Sequence, residues 1–122
     1  EVMHWIEAVK RHMKRLPNLE IIICAPAIHL HLIASHLPQV QVAAQNVSAF
    51  PDGAYTGEIS ARMLAPLLRF VLIGHSERRS LLKENDEMIE KKVEDTISSG
   101  LLPIFFVQNL NTIILNTNII SL

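Results

Sequence analysis

The sequence has few of the residues on which several classes of protein depend. Cysteine occurs once, as Cys24, so no disulfide can form within the chain, and this is typical of a reducing compartment. No apolar run approaches the roughly 20 residues that a membrane-spanning helix needs. Basic residues are not in excess, since 11 lysines and arginines stand against 12 aspartates and glutamates. A nucleic-acid partner is therefore not expected. We expect a soluble, cytoplasmic protein that binds neither nucleic acid nor a membrane.

The six histidines have none of the spacings that are typical of a metal site. His29 and His31 fall on opposite faces of one predicted helix, and His4 and His12 are separated by about two turns of another. Cys24 lies in an apolar stretch, which favours a small buried side chain over a nucleophile. The sequence therefore predicts no metal centre and no thiol chemistry.

Apolar residues make up 49% of the 122 residues, which is enough for one domain and too many for a disordered chain. Short apolar runs alternate with segments of helical periodicity. The predicted strands are residues 20–25, 40–44, 70–73 and 102–107, and the predicted helices are residues 2–16, 27–36, 59–67 and 85–100. The first of these strands is almost entirely apolar, which is typical of a strand buried on both faces. This order predicts the α/β class, with about four parallel βα units.

Two of the predicted helices allow a buried face to be specified. In residues 27–36 the apolar face is predicted to consist of Ile28, Leu32 and Ile33. In residues 85–100 the predicted N-cap is Asn85, and the buried stripe consists of Ile89, Val93 and Ile97. Glu87 is expected to pair with Lys91 at i,i+4, and Lys91 and Lys92 are expected to form a solvated helix face.

Ligands bind at the carboxyl ends of parallel strands in α/β folds, so the residues that follow each predicted strand are the candidates for a functional site. These residues are Pro26, then Gln45 and Asn46, then His75 to Glu77, and finally Gln108. Among them His75 is the only side chain suited to proton transfer or electrophilic catalysis near neutral pH. His75 is therefore the first candidate for a catalytic residue.

Two stretches of sequence resemble the triosephosphate isomerase family. The first is Ala-Gln-Asn-Val-Ser-Ala-Phe at residues 44–50, followed by Asp-Gly-Ala-Tyr-Thr-Gly-Glu-Ile-Ser at residues 52–60. The second is Ile-Gly-His-Ser-Glu-Arg-Arg at residues 73–79, followed by Glu-Asn-Asp-Glu at residues 84–87. The resemblance implies part of a (β/α)₈ barrel over residues 1–108. Residues 109–122 do not share it, and we expect them to be a divergent tail that is disordered or out of frame.

The resemblance also assigns roles to individual residues. It implies that His75 is the electrophile that polarises the substrate carbonyl, and that Glu77 is the carboxylate beside a catalytic lysine. Ser76 is implied to line the substrate pocket with His75. Gln45 and Asn46 resemble positions that hold the active-site side chains in place. Structural ion pairs are implied for Arg79 and Glu84.

The loop from Phe50 to Glu58 resembles the long loop through which two subunits of this family associate. Tyr55 and Thr56 would then lie in the interface of a homodimer, and Arg78 also resembles an interface residue. A loop whose aromatic residue is buried against a partner has a physical reason to be long and ordered.

The reaction that the resemblance implies is the interconversion of dihydroxyacetone phosphate and glyceraldehyde 3-phosphate through an enediolate, without cofactor or metal. The Asn-x-Lys motif and the glutamate base of the family do not occur in this sequence. We therefore expect the chain to be part of a longer isomerase and to be inactive alone.

Two alternatives remain open. A flavodoxin-like binding domain would have similar length and alternation, although no acidic residue follows a predicted strand as its phosphoacceptor would require. A non-catalytic module that binds an intact subunit through the 50–58 loop is the second alternative.

Overall fold

Four parallel strands form one sheet in the computed structural model, which describes residues 1–15 and 18–106. The strands are β1 (Ile22–Ala25), β2 (Gln41–Ala44), β3 (Phe70–Ile73) and β4 (Leu102–Phe105), and they lie side by side in chain order. The helices are α1 (Val2–Met13), α2 (Leu30–His36), α3 (Ala61–Leu64), α4 (Ser76–Leu81) and α5 (Asp86–Ser98), and a 3₁₀ turn, Ala27–His29, precedes α2. This arrangement confirms the predicted α/β class with parallel strands. The predictions for Gln108 and for the tail lie outside the described residues.

The register of the sheet brings the carboxyl ends of the strands to one edge. Ala25 pairs with Ala44, Ala44 pairs with Val71, and Ile73 pairs with Phe105. Because all the strands run in the same direction, the residues that follow them emerge on the same side of the sheet. The four strand ends therefore converge as the sequence predicted.

Gly74 makes the turn that follows β3. Its φ is +78°, and a Cβ at this position would lie 3.3 Å from Cε2 of Phe105 and 3.4 Å from the carbonyl oxygen of Phe106. Both the left-handed backbone and the close approach favour glycine. This turn directs the chain from β3 into His75.

The helices cover one face of the sheet. The core on that face includes Val71 and Ile73 of β3, together with Ile6 of α1 and Ile33 of α2. The prediction that the first strand is buried on both faces is wrong, because Ile22 is 39% exposed and Ile23 and Cys24 are only half-buried. Among the described residues, β1 pairs only with β2, so its outer edge and one of its faces have little cover.

The apolar faces of two helices also differ from the predictions. Ile28 lies in the 3₁₀ turn and is 84% exposed, and Leu30 takes its place in the core beside Ile33. The change from a 3₁₀ turn to an α-helix rotates the face that the periodicity had indicated. In α5, Ile89 and Val93 are buried as predicted, but Ile97 is partly exposed and Thr96 is fully buried.

The start of α5 confirms the predicted cap. The Asn85 side chain accepts a hydrogen bond of 2.9 Å from the backbone N–H of Met88, which satisfies one of the free donors of the first turn. Gly100, with φ of +78°, follows the end of the helix.

Within the described ranges, no helix combines the length and the apolar character that crossing a bilayer requires.

Candidate active site at the carboxyl ends of the strands

A cleft of about 460 Å³ opens where the carboxyl ends of β1, β2 and β3 converge. Of the candidate residues, His75, Glu77, Gln45, Asn46 and Arg78 all line it. The remaining lining residues are Pro26, Ala27, Leu30, Ala44, Val47, Ser48, Gly57, Glu58, Ile59, Leu64 and Leu72. The structure thus brings together side chains that are 33 positions apart in the sequence, from Gln45 to Arg78.

Three candidates lie outside the cleft lining. Ser76, the first residue of α4, is half-buried and does not border the cleft. Tyr55 and Thr56 line a second hollow of about 300 Å³, which is formed mainly by residues 51–60 together with Ser48 and Met63. The cleft and the second hollow therefore adjoin each other, with Ser48, Gly57 and Glu58 lining both.

His75 is the N-cap of α4. Its Nδ1 accepts a hydrogen bond of 3.3 Å from the backbone N–H of Glu77, and its ring contacts Phe106 at a centroid distance of 4.7 Å. A carboxylate oxygen of Glu77 lies 3.6 Å from the same nitrogen, which is too long for a hydrogen bond. Because Nδ1 acts as an acceptor, the proton of the neutral ring is on Nε2. The helix end thus fixes the tautomer of the histidine that borders the cleft.

Gln45 links the ends of two strands. Its Nε2 donates a hydrogen bond of 3.2 Å to the carbonyl oxygen of Cys24, so the residue after β2 is tied to the carboxyl end of β1. Burial raises the pKa of the Cys24 thiol, which disfavours the thiolate that a nucleophile needs. Gln45 thus joins two strand ends at the cleft, whereas Cys24 is not among the residues that line it.

Asn46 connects the cleft to α5. Its Oδ1 accepts a hydrogen bond of 2.7 Å from Nζ of Lys92. Lys92 also donates to Oε1 of Glu84, and the same oxygen accepts a 2.7 Å hydrogen bond from Nε of Arg78. These four residues form a chain of contacts that begins and ends at cleft-lining side chains, and we call it the Asn46–Arg78 relay.

The predicted solvated face of α5 is wrong for one of its two lysines. Lys92 is buried, with a side chain only 3% exposed, and Glu84 is exposed by only 2%. Position 92 falls three residues after Ile89, next to Val93 and four residues before Thr96, so it lies on the buried stripe. The helical spacing thus indicated that residue 92 is buried. Its charge favoured the opposite prediction, because lysine is rarely buried unless it is paired.

The ionisation of the buried pair follows from its partners. Burial alone would raise the pKa of Glu84, but hydrogen bonds from Lys92 and Arg78 and the charges of these residues outweigh it, so the pKa lies below its ordinary value. Burial lowers the pKa of Lys92, and the hydrogen bond and charge of Glu84 oppose this only in part. Because Glu84 has two cationic partners, we take the carboxylate to be ionised at neutral pH.

Arg79 provides the other ion pair that the resemblance implied. Its Nη1 lies 2.7 Å from Oδ1 of Asp86, and its Nε donates to the carbonyl oxygen of Gly74 at 3.3 Å. This side chain ties the turn before His75 to the first turn of α5. Both Arg79 and Glu84 therefore make the ion pairs that were expected of them.

The loop that follows β2 is held by its own contacts. The rings of Phe50 and Tyr55 stack at 4.7 Å, and both are partly exposed. Ser60 donates to Asp52 at 3.1 Å and caps α3 by accepting from the backbone N–H of Met63.

In the part of the chain that the structure describes, no group of three or more histidine, cysteine, aspartate or glutamate side chains is arranged to hold a metal ion.

The parallel sheet, the helices on one face and the cleft at the carboxyl ends of the strands define a protein of the parallel βα class. Residues 1–113 match the sequence model of the triosephosphate isomerase family. The chain belongs to the triosephosphate isomerase family, and the family assignment made from the two motifs is confirmed.

Individual relatives agree with this assignment. The chain is 43% identical over 97 residues to the triosephosphate isomerase of Hahella chejuensis, an alignment that covers 77% of this chain and 39% of that protein. It is 47% identical over 88 residues to the enzyme of Neurospora crassa, covering 70% and 36% of the two chains. With the enzyme of Natranaerobius thermophilus it is 37% identical over 109 residues, covering 88% and 43%. The chain thus spans about two fifths of the length of these relatives.

Proposed function

We propose that this chain is the part of a triosephosphate isomerase that carries the electrophilic histidine, His75. The position of His75 is the observation that supports this most directly. It borders the cleft, and its Nδ1 is already engaged by the N-terminus of α4. The substrate would be a triose phosphate, and the reaction would be the interconversion of its ketose and aldose forms.

The chemistry proposed for His75 follows from its tautomer. With Nδ1 as an acceptor, the Nε2–H group is free to donate to a carbonyl oxygen and to stabilise the negative charge that develops when a proton leaves the neighbouring carbon. A neutral electrophilic histidine at a helix N-terminus is the known behaviour of triosephosphate isomerase. Glu77 borders the same cleft. It would face the catalytic lysine of the family's Asn-x-Lys motif, which does not occur in this sequence.

The 122-residue chain by itself is proposed to be inactive. Removing a proton from carbon needs a positioned base, and the family's glutamate base has no counterpart in the sequence. The test has two arms. The isolated chain is assayed for isomerisation, and residues 1–106 replace the matching segment of the Hahella chejuensis enzyme in a chimera.

In the chimera, His75→Gln is expected to lower kcat by roughly 10²–10³-fold, because one donor to the developing oxyanion is lost. His31→Gln is the matched control, since His31 is exposed and lies outside the cleft lining. A chimera that isomerises equally well with His75→Gln contradicts the proposal. Isomerisation by the isolated chain that His75→Gln abolishes would contradict its inactivity.

The 50–58 loop is proposed to bind a second subunit. The stacked and partly exposed Phe50 and Tyr55 support this, because large exposed apolar side chains next to each other favour a protein partner. Thr56 is exposed beside them, and Arg78 is partly exposed at the cleft. Size-exclusion chromatography of the chain mixed with an intact isomerase subunit tests this. A shift that Tyr55→Asp removes supports the interface, and no shift at micromolar concentrations contradicts it.

A further inference from the structure

The Asn46–Arg78 relay connects two cleft-lining residues through two side chains that do not line the cleft. Lys92 Nζ donates to Oδ1 of Asn46 at 2.7 Å and to Oε1 of Glu84, and Arg78 Nε donates to that same Oε1 at 2.7 Å. Lys92 belongs to α5, whereas Glu84 belongs to the short connection between α4 and α5. The relay therefore joins the end of β2 to α4 by way of the helix layer.

We infer that Lys92 is a positioning residue of the cleft, which together with Glu84 holds Asn46 and Arg78 in fixed orientations. The inference rests on the cleft assignment made above. It does not require the chain to turn over substrate, because it concerns the orientation of two side chains.

The contact with Asn46 distinguishes positioning from simple charge neutralisation. Glu84 already has a cationic partner in Arg78, so Lys92 is not needed merely to satisfy that carboxylate. A buried ion pair is weak evidence for stability, since apolar residues of similar volume often stabilise a core as well or better. Besides its contact with Glu84, Lys92 makes a hydrogen bond to Asn46, which is half-buried at the edge of the core. Its geometry thus favours an orienting role.

The orientation of Asn46 has a chemical consequence. Because Oδ1 accepts from an ammonium group, turning this oxygen toward the cleft would break a charge-assisted hydrogen bond. In the described residues, the Nδ2 group of Asn46 makes no hydrogen bond to the protein. The carboxamide is therefore presented as a donor, suited to an acceptor oxygen on a bound ligand or on a neighbouring side chain.

The Glu84 carboxylate carries both of its contacts on one oxygen. Its Oε2 is buried and has no hydrogen-bond partner among residues 1–15 and 18–106. Lys92 and Arg78 both contact Oε1, so this atom joins the two halves of the relay. The Arg78 guanidinium is held at the same oxygen. Arg78 is thereby restricted at the border of the cleft while 30% of its side chain remains exposed.

The first test measures the Asn46 side chain in the full 122-residue chain by NMR. The χ1 couplings of Asn46 are compared in the wild type, Lys92→Met, Lys92→Arg and the matched control Lys91→Met. One rotamer is expected in the wild type and in Lys91→Met. In Lys92→Met the population of other rotamers is expected to rise by roughly tenfold or more, because a hydrogen bond from a charged donor is lost. Lys92→Arg, which restores a cationic donor, is expected to regain part of the preference.

Unchanged Asn46 couplings in a folded Lys92→Met variant overturn the inference. So does averaging that extends equally to methyl groups around Ile6, because a purely structural role would loosen the whole core. If Lys92→Met does not fold, Asn46→Ala decides the question from the other end of the contact. A shifted Lys92 ammonium resonance in Asn46→Ala supports the inference, and an unshifted resonance overturns it.

The second test concerns Arg78. The hydrogen-exchange rate of its Nε–H group is compared in Glu84→Leu and in the control Glu87→Leu. Exchange is expected to be at least roughly tenfold faster in Glu84→Leu and unchanged in the control. Equal rates in a folded Glu84→Leu variant overturn the part of the inference that concerns Arg78. These readouts do not involve turnover, so an inactive chimera would contradict the proposed function alone.

Discussion

Lys91 and Lys92 are neighbours on α5, and each forms an ion pair with a glutamate, but their surroundings differ completely. Lys91 lies 2.9 Å from Glu87 on the same helix, and both side chains are more than half exposed. Lys92 pairs with Glu84 from outside the helix, and both side chains are nearly free of solvent contact. The same chemistry therefore gives a solvent-screened surface contact in one case and a buried link to the cleft in the other.

The difference arises from a rotation of about 100° between successive helix residues. Residue 91 points away from the core, whereas residue 92 follows the line from Ile89 to Thr96. An exposed pair contributes little because water and salt screen it. A buried pair has already lost its hydration, so removing Lys92 takes one of two charged partners from Glu84, and removing Glu84 takes the carboxylate partner from Lys92.

The largest effect that would separate the two pairs is expected from neutralising the lysines. Lys92→Met is expected to destabilise the chain by about 2 kcal/mol, since the buried Glu84 carboxylate loses one of its two charge-assisted hydrogen bonds and keeps the one from Arg78. Lys91→Met is expected to leave the urea midpoint unchanged within error. Urea unfolding followed by circular dichroism measures both variants. Equal midpoints for the two variants would contradict the distinction between the pairs.

The second effect is the pH dependence that each glutamate contributes. The pKa of Glu84 is lowered from its ordinary value of 4.5 in the folded chain, so its contribution is complete above that value and is lost as the pH falls through the folded pKa. The wild type is therefore expected to lose more stability than Glu84→Gln on acidification below pH 4.5. Unfolding curves between neutral and acid pH test this.

Glu87→Gln is the control for the acid limb, which is the part of the stability–pH curve below pH 4.5. Glu87 also has a lowered pKa, through the hydrogen bond and charge of Lys91, but most of its side chain is exposed to solvent. Its substitution is expected to leave the acid limb almost as steep as in the wild type. A limb that flattens more in Glu87→Gln than in Glu84→Gln would reverse the comparison.

The sequence was sufficient for the features that depend on local order. The βα alternation, the Asn85 cap, the strand at residues 70–73 and the position of His75 after it all follow from short-range patterns, and the structure agrees with each. The convergence of Gln45, Asn46 and His75 could also be predicted, because parallel strands place their carboxyl ends together.

The features that the sequence did not predict depend on contacts between distant segments. Lys92 is buried because Glu84 and Asn46, 8 and 46 positions away, supply its acceptors. No periodicity within α5 identifies those partners, so a lysine on the apolar stripe was assigned to solvent. Ile22 shows the opposite case, in which an apolar residue is exposed because its strand is at the edge of the described sheet.

A smaller effect is expected at the start of the helix that bears both lysines. Asn85→Ala is expected to cost about 1 kcal/mol, because the N–H of Met88 loses its acceptor. Asn85→Asp, which keeps a side-chain oxygen at the cap, is expected to retain most of that stability. Fraying of the first turn would disturb Glu87 before it disturbs the buried Lys92.

Amide exchange provides the measurement for the cap variants. In Asn85→Ala the backbone amides of residues 87–89 are expected to exchange faster, whereas the Lys92 ammonium resonance is expected to stay at its wild-type position. A displaced Lys92 resonance in Asn85→Ala would show that the buried pair depends on the first turn of α5, and would contradict its independence from the exposed pair.

The smallest effect is the response of the two pairs to salt. The Debye length falls to about 3 Å at 1 M ionic strength, which is comparable to the separation between Lys91 and Glu87. The pKa of the Glu87 carboxyl, held low by the hydrogen bond and charge of Lys91, is therefore expected to rise toward 4.5 in high salt. The pKa of Glu84 is expected to change less, because salt ions cannot enter between buried partners. Carbon-13 titration of both carboxyls at low and high salt gives the comparison, with Lys91→Met as the control that removes the shift of Glu87 alone. Equal salt responses would mean that water and ions reach the buried pair. They would contradict the distinction between the buried and the exposed ion pair in solution.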